Sequence, residues 1–575
     1  MIEIHSQLLV DADMIPDTGR ATHCLLALPY VLFVCLFISN VTAQDESATN
    51  SPLWNKDYRH VHKSQVVAMN QHQYETALSD ARTILSENPQ DGESLYFATL
   101  ALAHLDRKDE AIAMLQQALA AGVPAVRFAR SPADWNAALL RIPDIHQRLS
   151  ISASRANLVH GPMLGNVTSG GVDVWVRTDR PAKVQIAVSQ SPNSPDRLSN
   201  SVSTTEEADM TAVVHLTGLA SDSRYYYWTF VDGQLVRPNS TPSQTYSGTF
   251  RTAPITGQAT KLTFVFGGGA AYIPRNTYAW KTIQGQDADM MLLLGDNVYI
   301  DDPSNLPYQR YLYYRRQSQP YFRDMATSLP IASIWDDHDF GDNDCEGGPE
   351  IDSPAWKRPV WQVFRQNWVN PGYGGGDSQP GCWYSFPCGD IEFFMLDGRY
   401  YRTASPSDGS MPTMLGPVQK AWLKQVLIQS AAKIKVLCSP VPWIGGNADK
   451  WEGFAEERTE LFRWLDQSRI EGVLLLSADR HRSDLLVTRR PGSYDLYEFM
   501  SSKLTNHHTH AEINQDQGAL FSYNDKCSFG LVTVDTRADD PVIQYEIKTI
   551  DNESVFTFSL SASQLQFSHG PTNQR

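Results

Sequence analysis

Several short apolar runs lead into residues that could hold a metal ion or move a proton. "MMLLLGDNVY" ends in Asp296 and Tyr299, and "LPIASIWDDHDFGDND" in Asp336, Asp337, His338 and Asp339. "FFMLDGR" carries Asp397 and Arg399, "KIKVLCSPVPW" ends in a proline turn, and "VLLLSADRHR" carries Asp479 and His481. Carboxylates this crowded repel one another unless they are protonated or bound to cations. Asp, Asn, His and Tyr together suit hard or borderline metals such as calcium, manganese, iron or zinc. Taken singly, each motif is weak, because "GD" after a strand is often a turn and an Asp–His pair is often a hydrogen-bonded loop. Their recurrence at strand ends points to a two-metal centre.

The elements that must position these residues follow from periodicity. After Pro254, apolar runs of strand length alternate with amphipathic stretches such as "VQKAWLKQVLIQSA". Near-continuous apolar strands imply sheets covered on both faces, and the alternation implies α/β layers. In open α/β sheets, ligands bind at the carboxyl ends of strands, so residues distant in sequence are expected to converge there. From Asn157 to Pro254, short runs with period-two alternation, such as "VDVWVRT" and "RYYYWTFVDG", predict an antiparallel β-sandwich. From Tyr58 to Leu149 the pattern is helical. There "YETALSDARTILSENP" and "DEAIAMLQQALAAGVP" match at an offset of 34, pairing Ala77 with Ala111 and Leu85 with Leu119. That is the tetratricopeptide period. So short a unit is expected to pack on its neighbour, with a protein-partner surface as the other reading.

The 575 residues carry 48 basic and 64 acidic side chains, a net charge of −16 that disfavours nonspecific binding to nucleic acid or anionic lipid. Near the start, Arg20 and His23 precede the uncharged run "CLLALPYVLFVCLFIS" and the small residues Val41 and Ala43. This reads as a signal peptide over residues 1–43, with Met14 as an alternative start, so an exported protein without a stable membrane span is expected. An uncleaved anchor is the competing reading. Cys345, Cys382, Cys388, Cys438 and Cys527 lie beyond that segment, and Cys382 with Cys388 is a candidate disulfide.

Together the elements "LLLGDNVYIDD", "YQRYLYYRRQSQPYFRDMATSLPIASIWDDHDFGDND", "FFMLDGRYYR", "LGPVQKAWLKQVLIQSAAKIKVLCSPVPW" and "LLLSADRHRSDL" resemble, in order, the PhoD-like alkaline phosphatases of the calcineurin-like metallophosphoesterases. A sandwich ahead of the catalytic domain is similar to that family too. The expected architecture is multidomain. A tetratricopeptide-like helical segment spans 57–150 and a fibronectin type III-like β-sandwich 156–254. An α/β metallophosphoesterase domain spans 260–550, with C-terminal strands to about residue 567.

The resemblance implies that Asp296 bridges two metals and that Tyr299 is a phenolate ligand. Asp337 and Asp479 are implied as further ligands, and His481 as a ligand or phosphate contact. It also implies that His338 donates a proton to the leaving group and that Arg399 holds a phosphate oxygen. Arg310, Arg315 and Arg316 could add positive field, or lie on the surface in salt bridges. The implied cofactors are calcium plus iron.

One departure matters: Gly268 and Gly269 stand where many members carry a cysteine that binds ferric iron. Manganese or zinc, or one tight and one loose metal, are therefore alternatives. The glycines could also form an anion nest or simply a tight turn. The expected function is hydrolysis of phosphate mono- or diesters outside the cytoplasm. The alternative is a noncatalytic partner-binding protein with a degenerate metal site.

Overall fold

The computed structural model describes residues 59–237, 245–445 and 447–567. The expected signal segment lies outside them. Among the described residues no helix is long and apolar enough to cross a membrane.

The chain begins with helices α1 (Lys63–Asn70), α2 (Tyr74–Glu87), α3 (Gly92–His104) and α4 (Lys108–Ala120). Small residues let them pack closely, and Ala77, Ala81, Ala98, Ala101, Ala111 and Ala118 are fully buried. Helix α3 is buried on every side from Glu93 to Ala103. Its Phe97 ring lies 5.2 Å from that of Tyr311, and Tyr311 Oη donates to Glu93 Oε2 at 2.6 Å. The segment therefore packs onto the rest of the chain, as so short a unit must to bury its apolar faces.

An antiparallel sandwich follows. Strands Leu158–Thr168, Gly171–Thr178 and Thr211–Leu216 form one sheet. The other is built on Lys183–Ser189, Arg224–Val231 and Gly248–Arg251. Val174, Val176, Val184, Ile186, Val214 and Tyr227 fill its core. Trp175 faces the next domain, where its indole N–H donates to Gln366 O at 2.8 Å.

The remaining domain opens with β1 (Lys261–Gly267), β2 (Met290–Leu294) and β3 (Ile331–Ile334). It continues with β4 (Tyr384–Cys388), β5 (Ile391–Met395), β6 (Ile434–Cys438), β7 (Val473–Ser477), β8 (Ser483–Thr488), β9 (Leu496–Ser501) and β10 (Ala519–Tyr523). It closes with β11 (Ser528–Asp535), β12 (Val542–Thr549) and β13 (Ser554–Ser561). One sheet has the order β3-β2-β1-β11-β12-β13 and the other β4-β5-β6-β7-β9-β8-β10. Side chains of the two sheets interlock between them, Phe264 against Phe393 at 5.2 Å and Tyr545 stacked on Phe499 at 4.3 Å. Amphipathic helices such as Lys357–Asn367 and Ala455–Gln467 connect the strands. This is the expected layered α/β architecture.

The five cysteines among the described residues are free thiols. The pairing of Cys382 with Cys388 is thus corrected: the six-residue path is largely extended, and at about 3.3 Å per residue it holds the two far beyond the roughly 7 Å Cα separation a disulfide spans.

Candidate metal centre

Strands β1, β2 and β3 run parallel in one sheet, and β5, β6, β7 and β9 run parallel in the other. Their carboxyl ends therefore share one edge, and a bridge between Gly268 and Ser502 joins the two sheets there. The turns off these strands are sharp. Gly295 has φ 108°, and a Cβ on it would lie 2.5 Å from Cβ of Asp336, so only glycine lets the β2 and β3 ends approach. Asp296, Asp479 and His481 follow with φ of 54°, 74° and 48°. Such left-handed residues cost roughly 1–3 kcal/mol each and cluster where surrounding structure holds them for a purpose.

The two loops richest in acid are clamped by Asp339. Its carboxylate accepts from Val298 N at 2.7 Å, Asn297 N and Nδ2 at 3.1 Å each, and Asp336 N at 3.2 Å. Arg316 braces the same region by donating to Asn297 O at 2.9 Å and to Ala270 O. Arg315 lies over the Tyr272 ring at 4.3 Å. Both arginines are buried, which corrects the surface reading of this pair.

Asp296, Tyr299, Asp337, His338 and His481 are brought together. Tyr299 Oη donates to Asp296 Oδ2 at 2.9 Å and lies 3.5 Å from His481 Nε2. His481 Nε2 is 3.7 Å from Asp296 Oδ2, while Asp296, Asp337 and His338 could share one ion, as could Asp336, Asp337 and Asp479. Asp337 is oriented by His338 N at 2.9 Å and Asp344 N at 2.7 Å. His338 Nδ1 bonds to Asp301 Oδ1, which leaves Nε2 for the site. Its ring lies 4.5 Å from that of Tyr299.

Asp479 and Arg399 sit in a neighbouring charge network. Lys450 Nζ lies 2.7 Å from Asp479 Oδ2 and 2.7 Å from Asp449 Oδ2. Arg399 donates through Nε to Asp336 Oδ1 at 2.6 Å and through both terminal nitrogens to Asp449 at 3.1 Å. Fully buried, Arg399 faces these carboxylates rather than open space. Asp397 is a turn former: it accepts from Arg399 N, Tyr400 N and the Trp335 indole.

The charges divide the site. Asp336, Asp449 and Asp479 have internal cations in Arg399, Arg402 and Lys450. Asp296 has none comparable. Burial, helped by the charges of Asp337 and Asp479, pushes its carboxyl up to about 7 against the pull of His338. Burial opposes a charge on His338, but Asp296, Asp337 and Asp301 outweigh it and raise its pKa to about 10. Burial lowers His481 to about 4, leaving a neutral imidazole. Among the described residues, Asp296 Oδ1 and His481 Nδ1 are buried without a hydrogen-bond partner. Buried acceptors left over in this way fit a cation as the missing partner.

Sequence reasoning missed the partners that arrive from elsewhere. These are Asp301, which orients His338; Asn506, whose Nδ2 donates to Tyr299 Oη at 2.9 Å; and Lys450 with Asp449. It also missed Arg59, whose guanidinium lies 5.0 Å over the Tyr299 ring, with a nitrogen 3.5 Å from His338 Nε2. The signals in the chain were the "DD" that follows "GDNVYI" and "NHHTH", a histidine-rich tract beside Asn506.

Residues 264–541 match the family described as PhoD-like phosphatase, and residues 155–248 match a domain of unknown function, DUF7800. A solved structure of PhoD has 18% identity and a TM-score of 0.59, covering 72% of this chain and 91% of its own. Purple acid phosphatase PPD1 from yellow lupin (Lupinus luteus) seeds has 13% identity and a TM-score of 0.48, covering 70% of this chain and 74% of its own. No curated protein matches the chain.

Proposed function

We propose, from a PhoD-like phosphatase domain over residues 264–541, that this protein is an exported metal-dependent phosphoesterase acting on phosphate mono- or diesters. The observation that carries the reading is the buried constellation of Asp296, Tyr299, Asp337, His338 and His481, with two of its donor atoms unpartnered. Asp296, Tyr299, Asp337 and His481 would hold the metals, and Asp479 would join them when Lys450 releases it. Bound cations would polarise the phosphoryl group and supply hydroxide from water near neutral pH.

The chain's own residues do the rest. His338, kept protonated by surrounding carboxylates and oriented through Nδ1 by Asp301, presents Nε2 to give a proton to the departing alkoxide. Arg59 stands beside that nitrogen, placed to meet a phosphate oxygen. Arg399 acts as a positioning residue, fixing Asp336 and Asp449, rather than as a phosphate contact. The arrangement of two sheets supports a fibronectin type III-like sandwich, and the helical hairpins support a tetratricopeptide-like segment. Export follows from the apolar run before Ala43, and N-terminal sequencing of secreted protein should begin at Gln44; retention of Met1 or Met14 would refute cleavage.

The second reading, a noncatalytic partner-binding protein, draws on Gly269 and on the Lys450–Asp479 pair. Chelation separates the two. Turnover should vanish with chelator and return with calcium, iron, manganese or zinc, whereas a protein inert under every metal would fit the second reading.

A further inference from the structure

The chain that lacks a thiolate at β1 has gathered imidazoles at the same edge. Of the two glycines after β1, only Gly269 points its missing side chain into the site. A Cβ there would lie 3.1 Å from His481 Cδ2, whereas one on Gly268 would strike Ala478 Cβ at 2.7 Å. The backbone of this pair anchors the loop after β9. Lys503 N and Leu504 N donate to Gly268 O at 3.1 Å, and Thr505 N and Asn506 N donate to Gly269 O at 3.3 and 3.2 Å. The loop thus starts from the Gly268–Gly269 turn.

After His507 the loop carries His508 and His510, two apart, so an extended path sends both to one side. Three hydrogen bonds hold the backbone of this stretch. His508 N donates to Asn506 Oδ1 at 3.0 Å, and Thr509 Oγ1 donates to His481 O at 2.8 Å. Asn524 Nδ2 donates to His510 O at 2.9 Å. The rings of His481 and His508 lie 5.1 Å apart, and those of His508 and His510 4.9 Å apart. Each of the three offers a ring nitrogen within 4.8 Å of the others. His481 is only 5% exposed, and its Nδ1 has no hydrogen-bond partner.

We propose that His481, His508 and His510 form a nitrogen-donor site for a borderline divalent cation of the zinc class. Three imidazoles at about 2.0–2.1 Å from one ion are an ordinary zinc set with a fourth position open. Oxygen-preferring calcium would gain little from them. Small rotations of the two loop histidines close nitrogens already within 4.8 Å onto one ion. The site shares His481 with the centre proposed above, so the test rests on His508 and His510, which that centre does not use.

The test uses the full chain, stripped with chelator and titrated with zinc and, separately, with cobalt(II) as a spectroscopic probe. Zinc X-ray absorption of the wild type should show imidazole scattering from two or more histidines, and an oxygen-only shell would overturn the proposal. The double variant His508→Ala/His510→Ala should bind that equivalent of zinc roughly tenfold or more weakly and lose imidazole scattering and the cobalt ligand-field bands. Equal affinity and identical spectra in both proteins would overturn it. Should the variant fail to fold, the wild-type spectrum alone decides. A chain inert toward every ester but with imidazole-bound zinc would end the phosphoesterase reading and keep this one. An active chain whose zinc affinity and spectra are untouched by loss of His508 and His510 would do the reverse.

Discussion

Lys450 Nζ sits 2.7 Å from Oδ2 of Asp479, an ammonium against a carboxylate that the resemblance assigns to a metal. Lys450 is buried and also pairs with Asp449, so it balances charge in the half of the site away from Asp296. Burial opposes its charge, but Asp479 and Asp449 raise its pKa above the ordinary lysine value. Lys450→Met would leave Asp479 without its cation while Asp449 keeps Arg399 and Arg402, at a cost of about 3–5 kcal/mol. The expected result is a clear fall in melting temperature in chelator, partly recovered in calcium as a divalent ion replaces the ammonium. An unchanged melt in chelator would contradict this assignment.

His338 is expected to matter in proportion to the need for a proton. His338→Ala should lower kcat about 10²–10⁴-fold on an alkyl phosphate, whose leaving group is strongly basic. A nitrophenyl ester leaves as a stable anion, so its loss should be much smaller. Equal losses on both would indicate that His338 holds structure or metal instead.

Asp339 carries no chemistry in this account, yet four N–H groups converge on its carboxylate. Asp339→Asn turns one acceptor into a donor facing donors, and about 1–3 kcal/mol of stability should be lost. Chemical denaturation checks it. The variant should also bind metal more weakly, because Asp296 and Asp337 lie on the loops Asp339 joins.

Away from the centre, Glu498 is buried on β9, where it accepts from Trp443 N at 3.0 Å and from Ser477 Oγ. Burial pushes its carboxyl up to about 7. The folded state therefore holds a proton that the unfolded chain releases near pH 4.5, so this contribution to stability is full below that pH and is lost as pH rises to about 7. Glu498→Gln should flatten that slope in melts taken across pH 4–8. A slope unchanged by the substitution would refute the assignment.

The α/β layering and the converging strand ends were legible because apolar runs and the residues just after them are local features. "GDNVY" and "WDDHD" each carry their own candidate ligands. What could not be read was the supply of partners across sequence. Asp301 reaches His338 over 37 residues, and Arg59 over 279. The pairing of Arg399 with Asp449 was hidden because that counter-ion follows 50 residues later. Arg315 and Arg316 could be read as the exposed face of an amphipathic helix, yet that helix is largely buried and aromatic rings and backbone carbonyls enclose them. The six-residue spacing of Cys382 and Cys388 suggested a bridge that strand geometry forbids.

The most direct measurement is phosphate-ester turnover on one metal-analysed sample, comparing wild type with Asp296→Asn on a generic monoester and a generic diester. The account expects bound metal and turnover of at least one ester in the wild type, with both sharply reduced in the variant. Metal-loaded wild type that hydrolyses neither ester, or Asp296→Asn that keeps full turnover, would contradict it.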